Sequence, residues 1–218
     1  FMSDIEGKKP TAFAKFCLKK KINFITLEYS GHGKSSGKFI NGNISKWTGD
    51  SLRLINSKVK KKNLIIIGSS MGFWIALNLV KIFKDRIKGL IGIGSAPEFL
   101  EKLMWNKFNR KIKRAILNTK IYNLEHGGYT YPLTKQLFFD GKKNRVLNKK
   151  INLKIPISMF HGAKDKSVPI FFSKKILKIF PKAKKKLFII KGGDHSLSKK
   201  NNLKKMCDEL NQLIKNLT

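Results

Sequence analysis

Short apolar runs alternate with longer amphipathic stretches along most of the chain. The short runs are rich in β-branched residues, as is typical of buried parallel strands; they cover residues 23–27, 63–67, 89–93, 155–160 and 186–190. Helical patterns of about three to four turns lie between them, at roughly 8–20, 45–58, 71–84, 169–180 and 199–217. This alternation predicts an α/β fold with an open, doubly wound, mostly parallel sheet.

One segment, residues 97–150, interrupts the alternation. It has no convincing strand pattern, but it holds helical pieces at 98–119 and 132–139 and many aromatic residues. Because a structureless loop of this length would be unusual in a compact domain, we predict a helical cap over one end of the sheet. The cap would be inserted into a core made of residues 1–96 and 151–218. An ordinary extra helical layer on the sheet is the alternative.

Length and composition exclude several classes of protein. With 218 residues, 41% of them hydrophobic, the chain can bury a sizeable core, which excludes intrinsic disorder as the main state. The two cysteines are too few for a disulfide scaffold, and no apolar run reaches the ~18 residues of a membrane span. The four histidines are scattered and do not form a metal-binding motif. We therefore expect no metal ion and no cofactor.

The net charge of +34 comes from 42 Lys and 5 Arg against 13 acidic residues. Sequence-specific nucleic-acid-binding proteins rely on Arg for bidentate contacts to guanine and phosphate. The scarcity of Arg therefore argues against a nucleic-acid partner. Lys, Asn and Ile are all abundant, which suggests a bacterial protein from an AT-rich genome, and we expect it to be cytoplasmic. The lysines are spread over the whole chain instead of forming one binding stripe. An anionic membrane surface remains a candidate partner, since a basic protein surface attracts it, more so at low salt. The sequence does not predict the oligomeric state.

The sharpest local signal is the pentapeptide Gly68-Ser69-Ser70-Met71-Gly72. The pattern Gly-x-Ser-x-Gly is weak alone, but here it follows a predicted strand directly and precedes a predicted helix. This is the setting of a nucleophile elbow, in which a tight turn lifts the Ser70 hydroxyl clear of the sheet. The start of the helix and the free N–H of Met71 could then stabilise a developing oxyanion.

A serine nucleophile needs an imidazole base and a carboxylate that orients it. In α/β hydrolases these follow the serine in the order acid, then histidine. Asp165 follows the strand at 155–160 and His195 follows the strand at 186–190. All three candidates therefore lie at carboxyl ends of parallel strands, where open α/β sheets form their sites. His161 is interpreted as a hydrogen-bonding group that fixes its loop. Asp194 could help to position His195, but Asp165 has the better setting for the acid.

The stretch Gly31-His-Gly-Lys-Ser35 suggests a phosphate-binding loop, but the pattern is incomplete. A Walker A loop needs a glycine at the position occupied by Glu28. Nucleotide binding is therefore rejected.

The chain resembles an α/β hydrolase over essentially its whole length. The loop Glu28–Gly37 resembles the serine aminopeptidase and monoglyceride-lipase-like branch. Other segments resemble the palmitoyl-protein thioesterase and acyl-glucuronide esterase group with its bacterial relatives: residues 1–9, the Tyr29 loop with Trp47, Gly68–Gly72, Leu103–Asn106, Tyr131-Pro132 and His161–Pro169.

The resemblance implies Ser70 as nucleophile, Asp165 as acid and His195 as base. It implies oxyanion donors at Met71 and at Phe1, although the glycine that usually precedes the second donor is absent. It also implies that three strands of the family sheet precede Phe1, the third of them lying between strands 23–27 and 63–67. We expect that residues 1–218 without those strands are poorly stable or inactive.

Together these features predict a serine hydrolase that cleaves carboxylic esters or thioesters of apolar acyl groups. Met104 and the cap aromatics Trp105, Tyr131 and Phe138 are expected to form the acyl pocket. The substrate would be a small ester or thioester, or an acylated protein. A lipase or monoacylglycerol lipase, a serine peptidase of the same fold and a non-catalytic basic binding module remain alternatives.

Overall fold

A parallel four-stranded sheet forms the centre of the molecule in the computed structural model, which describes residues 5–60, 62–126 and 128–216. The strands are β1 (Leu64–Ser69), β2 (Ile87–Ile93), β3 (Tyr122–His126), β4 (Tyr129–Leu133), β5 (Pro156–Gly162) and β6 (Lys184–Ile190). The central sheet has the order β1-β2-β5-β6, while β3 and β4 form a separate antiparallel pair. The predicted strands at 63–67, 89–93, 155–160 and 186–190 are confirmed.

Helices cover both faces of the central sheet. They are α1 (Lys8–Lys19), α2 (Ile44–Lys58), α3 (Met71–Phe83), α4 (Arg110–Asn118), α5 (Lys135–Lys143), α6 (Phe171–Ile179) and α7 (Lys200–Lys215). Side chains of α2, α3 and α6 share one apolar core cluster, and those of α1 and α7 share a second one. A sheet with one cluster on each face is doubly wound, as the alternation of patterns predicted.

Helix α3 lies at the centre of the larger cluster because it is apolar on nearly all sides. Phe73, Trp74 and Leu77 are almost completely inaccessible to solvent. The indole N–H of Trp74 donates to the carbonyl oxygen of Asn144 at 2.8 Å, so its one polar atom is paired. This rigid helix carries the turn at its N-terminus in a fixed position relative to β1.

The predicted strand at 23–27 is wrong, because these residues are assigned to no strand. A strand exists only where its backbone pairs with a neighbour, and none of the described residues pairs with this segment in a ladder. A cavity lies between residues 22–27 and β1, whose outer edge is likewise without a strand partner among the described residues.

The segment predicted as a helical cap contains strands as well as helices. Residues 97–150 contain α4, α5, a π-helical turn at Leu100–Met104 and a 3₁₀ turn at Trp105–Lys107, but also the β3–β4 hairpin. The hairpin forms because Tyr122 and Leu124 alternate with polar residues and pair with Leu133 and Tyr131, which pack on the same core cluster. Gly128, which directly precedes β4, has φ 78°, a conformation that glycine adopts without a steric penalty.

The ends of this segment are joined by one buried carboxylate. Glu98 is 2% exposed, and its Oε1 accepts hydrogen bonds from the backbone N–H groups of Val146 (2.8 Å) and Leu147 (2.7 Å). Lys102 lies 3.6 Å from the other carboxylate oxygen. The segment therefore begins and ends at the same point on the core.

No helix in the described part of the chain is both long and apolar enough to cross a bilayer.

Candidate active site

Ser70 occupies a sharp turn between β1 and α3. Its backbone has φ 52° and ψ −119°, a region that a non-glycine residue adopts only where the surrounding structure imposes it. The turn is held by the Ser70 N–H, which donates to Ile93 O at 2.9 Å, and by the Ser70 carbonyl, which accepts from Ala96 N at 3.2 Å. Gly68 must lack a side chain, since a Cβ there would lie 2.6 Å from Phe73 Cα. The local geometry is that of the predicted elbow.

The loop after β6 brings His195 to this turn. The His195 Nε2 lies 3.2 Å from the Ser70 Oγ, although the two residues are 125 positions apart. The imidazole also faces Gly94, where a Cβ would lie 3.2 Å from both Nδ1 and Cε1. Gly94 has φ 51°, so a glycine meets both the backbone and the steric requirement here.

Asp165 completes the chain of contacts from the loop after β5. Its Oδ2 lies 2.8 Å from His195 Nδ1, and its Oδ1 accepts from the backbone N–H groups of Ser167 (2.9 Å) and Val168 (2.8 Å). Burial would raise the pKa of Asp165, but the hydrogen bonds from His195, Val168 and Ser167 outweigh it and hold the pKa below its ordinary value. A carboxylate that stays ionised favours the imidazole tautomer with the proton on Nδ1, which leaves Nε2 free to accept the Ser70 proton.

His161 stabilises a loop, as interpreted from the sequence, and the Asp194 carboxylate accepts a hydrogen bond within its own loop. His161 is 1% exposed, and its ring nitrogens lie 2.9 Å from Ser173 Oγ and 2.9 Å from Val168 O. The Asp194 Oδ1 accepts from the backbone N–H of Leu197 at 2.8 Å.

Of the two predicted oxyanion donors, one can be placed. The Met71 N–H is at the first position of α3, where no intrahelical acceptor exists, and no acceptor for it occurs among the described residues. It is therefore available to an oxygen beside Ser70. Phe1 lies outside the described residues.

A large cavity opens in front of Ser70 and His195. Its volume is about 1960 Å³, but it continues into the gap between residues 22–27 and β1, so only the part near Ser70 is considered as a substrate pocket. Cap side chains form an apolar wall there: Phe99, Leu103, Met104, Phe108, Leu124 and Tyr131.

Two of the four predicted acyl-binding residues lie in this wall. Met104 and Tyr131 line the cavity, whereas Trp105 and Phe138 do not. Trp105 and Phe138 instead pack on each other, with ring centroids 5.2 Å apart, and Phe138 is buried in the core. Met104 and Tyr131 therefore remain candidates for the acyl pocket, and Trp105 and Phe138 do not.

Tyr29 is a polar group in the cavity wall to which sequence reasoning assigned no role. Its hydroxyl oxygen lies 3.6 Å from the position that a Cβ of Gly72, the last residue of the Gly-x-Ser-x-Gly motif, would take. Burial, and the nearby negative charge of Asp50, raise the pKa of Tyr29, so the phenol stays neutral. In the sequence this tyrosine stands out only as part of the loop that carries the resemblance, and its place in the cavity wall depends on tertiary packing.

Comparison with known proteins places the chain among hydrolases. Residues 10–127 match the model of the family described as serine aminopeptidase, S33. The bovine (Bos taurus) mitochondrial palmitoyl-protein thioesterase ABHD10 is 23% identical over 223 residues, which are 100% of this chain and 72% of the relative.

Solved structures show the same fold. A protein of Agrobacterium vitis S4 that is described as a hydrolase superposes with a TM-score of 0.92 at 27% identity, covering 98% of this chain and 85% of that one. The mouse α/β hydrolase domain-containing protein 10 superposes with a TM-score of 0.89 at 25% identity, covering 100% and 88%. The predicted fold class is confirmed by these neighbours.

Proposed function

Because the chain belongs to the serine aminopeptidase (S33) family of α/β hydrolases, we propose that it is a serine hydrolase that cleaves esters or thioesters of apolar acyl groups. One observation carries this proposal. Asp165, His195 and Ser70 form a continuous chain of contacts, at 2.8 and 3.2 Å, that ends at the apolar wall of the cavity.

The first half of the reaction forms an acyl-enzyme. The Ser70 Oγ attacks the substrate carbonyl carbon while His195 Nε2 takes the hydroxyl proton, and Asp165 stabilises the resulting imidazolium. The Met71 N–H donates to the oxyanion of the tetrahedral intermediate; removing one such donor costs about 3–4 kcal/mol in the barrier. When the intermediate collapses, the carbonyl–heteroatom bond breaks and His195 returns the proton to the leaving alcohol or thiol.

The second half releases the acid. His195 accepts a proton from a water molecule, whose oxygen attacks the acyl carbon, and the Ser70–acyl bond then breaks with the proton passing back to Ser70. The net reaction consumes one water molecule and needs no cofactor.

The cavity wall favours an apolar acyl group over a peptide with a free amino terminus. Aminopeptidases need an acidic group to bind the substrate ammonium, and none of the described residues that line the cavity is Asp or Glu. Met104, Phe108 and Tyr131 provide apolar surface for a hydrocarbon chain instead. That several relatives are named palmitoyl-protein thioesterase supports a thioester among the substrates and an acylated protein as a possible source of it.

The test is a substitution of the nucleophile. We expect Ser70→Ala to abolish labelling by a fluorophosphonate and to reduce hydrolysis of nitrophenyl esters and acyl thioesters by about 10⁴-fold or more. Ser69→Ala, which removes the neighbouring hydroxyl of the same turn, is the matched control and should retain labelling. Undiminished turnover by Ser70→Ala would assign the nucleophile elsewhere.

A further inference from the structure

A lysine near the start of α1 reaches the loop that carries His195. The Lys9 Nζ donates a hydrogen bond of 2.6 Å to the carbonyl oxygen of Ser196, the residue directly after His195. The two residues are 187 positions apart in sequence. Helix α1 thus contacts the loop through a charged donor, and hydrogen bonds from charged groups are about twice as strong as neutral ones.

The ammonium group of Lys9 is partly withdrawn from water. Burial lowers the pKa of Lys9, and the nearby negative charge of Asp194 only partly offsets this. A lysine that merely lies on the surface would keep its ammonium hydrated, since long charged side chains normally reach for water. Lys15 on the same helix is such a residue, because it is exposed.

The loop itself is held in a strained shape. Leu197 has φ 50°, is fully buried, and donates its N–H to Asp194 within the same loop. Such a backbone conformation persists only where surrounding contacts impose it. The side chain of Asp194 provides one of these contacts from inside the loop, and Lys9 provides one from another element.

The position of the Ser196 carbonyl matters because Ser196 directly follows His195, the proposed base. The imidazole has little freedom: Gly94 bounds it on one side, and its two nitrogens must reach Asp165 and Ser70. A shift of the backbone at Ser196 moves the ring relative to both partners. Misplacement of a reactive group by about 1 Å can lower the rate on the order of 10²-fold.

We propose that Lys9 is a positioning residue, which fixes the His195 loop through the carbonyl of Ser196 and so holds the imidazole in line with Ser70. This inference rests on the proposed function, because it concerns the base of that reaction. Lys9 also lines the cavity, but in this role it does not touch the reacting atoms, so we expect its removal to lower kcat and to change KM little.

The experiment compares three lysine variants of the protein. Lys9→Met keeps the length of the side chain but removes the donor, Lys9→Arg keeps a charged donor, and Lys15→Met is the matched control on the same helix. We expect kcat for a nitrophenyl ester to fall about 10- to 100-fold in Lys9→Met, with KM within about twofold of the wild type. Lys9→Arg should recover at least part of kcat, and Lys15→Met should behave as the wild type.

Hydrogen–deuterium exchange provides a second readout that does not depend on activity. We expect faster exchange in the segment 191–199 of Lys9→Met, with the melting temperature and the exchange of β1 and β5 unchanged. Wild-type kcat in Lys9→Met, a change confined to KM, or unchanged exchange in 191–199 would each overturn the inference.

The two proposals fail in different ways. If Ser70→Ala retains full activity, the proposed function is wrong and Lys9 cannot position a base for it. If Ser70→Ala is inactive and Lys9→Met is fully active, the function stands and only the role of Lys9 is rejected.

Discussion

A single methyl group added at Gly94 should displace the imidazole of His195 from its reactive position. The Cβ of Gly94→Ala would lie 3.1 Å from the His195 carbonyl oxygen and 3.2 Å from Cε1 and Nδ1 of the ring. Non-bonded carbon atoms are at their optimum at about 3.5–4.0 Å, so the imidazole must move away by several tenths of an ångström. The contact of 3.2 Å to Ser70 is already long, and a shift of this size removes it from productive hydrogen-bonding distance.

The expected loss is about 10- to 100-fold in kcat, since misplacement of a reactive group by about 1 Å can cost on the order of 10²-fold. The backbone adds a separate effect. Gly94 has φ 51°, and alanine in this region is less stable than glycine by about 1–2 kcal/mol. The stability cost has to be separated from the effect on the ring.

Gly192 provides the matched control. It also has a positive φ, 71°, and lies in the same loop as His195, but a Cβ there would have nothing within 4 Å. Gly192→Ala therefore carries the same kind of backbone strain without a contact to the imidazole. We expect both variants to lose stability by about 1–2 kcal/mol in chemical denaturation, and only Gly94→Ala to lose kcat.

The assay is steady-state hydrolysis of a nitrophenyl ester, together with the second-order rate of fluorophosphonate labelling, at a temperature where both variants are folded. If Gly94→Ala keeps the wild-type kcat, or if Gly192→Ala loses as much, the geometric argument for His195 is refuted.

Two further predictions follow from buried and charged groups. Glu98→Ala leaves the buried N–H groups of Val146 and Leu147 without their acceptor. At about 1–3 kcal/mol for each of the two unpaired groups, the free energy of unfolding should fall by about 2–6 kcal/mol in denaturant titrations. A loss under about 1 kcal/mol would contradict this. The pKa of Asp165 is held below its ordinary value of 3.8, so the stability contributed by this carboxylate is present above pH 3.8 and is lost as the pH falls through the lower folded-state value. Protonation of Asp165 therefore cannot explain any decrease of activity that occurs on acidification above pH 3.8. If the pH–activity profile showed such a decrease and Asp165→Asn abolished it, this assignment would be contradicted.

Most of the central sheet could be predicted because buried parallel strands have a local signature. The apolar runs that became β1, β2, β5 and β6 are bounded by helical patterns, and each has a partner strand. The segment 23–27 has the same pattern but no hydrogen-bonded neighbour among the described residues, and pairing is not a local property. The β3–β4 hairpin was missed because its short alternation lies within an aromatic-rich segment that favours helices on either side.

The candidate nucleophile, acid and base could be selected because each follows a strand, and parallel strands bring their carboxyl ends to one edge. Contacts between elements that are distant in sequence could not be predicted in this way. The bond from Lys9 to Ser196 and the close approach of Gly94 to His195 depend on tertiary packing. The exclusion of Trp105 and Phe138 from the pocket has the same cause, since only the packing decides which aromatic rings turn towards each other.

The single carboxylate that joins the two ends of the cap has a consequence for how such enzymes diversify. Since residues 98 and 146–147 meet at one point, the cap is closed at its base. Its exposed turns, such as the one at Gly128, where a Cβ would meet nothing within 4 Å, can accept insertions without displacing the strands beneath. Under the proposed function, insertions of this kind offer protein engineering a way to alter the acyl group that is accepted, while the reacting groups on the core keep their spacing.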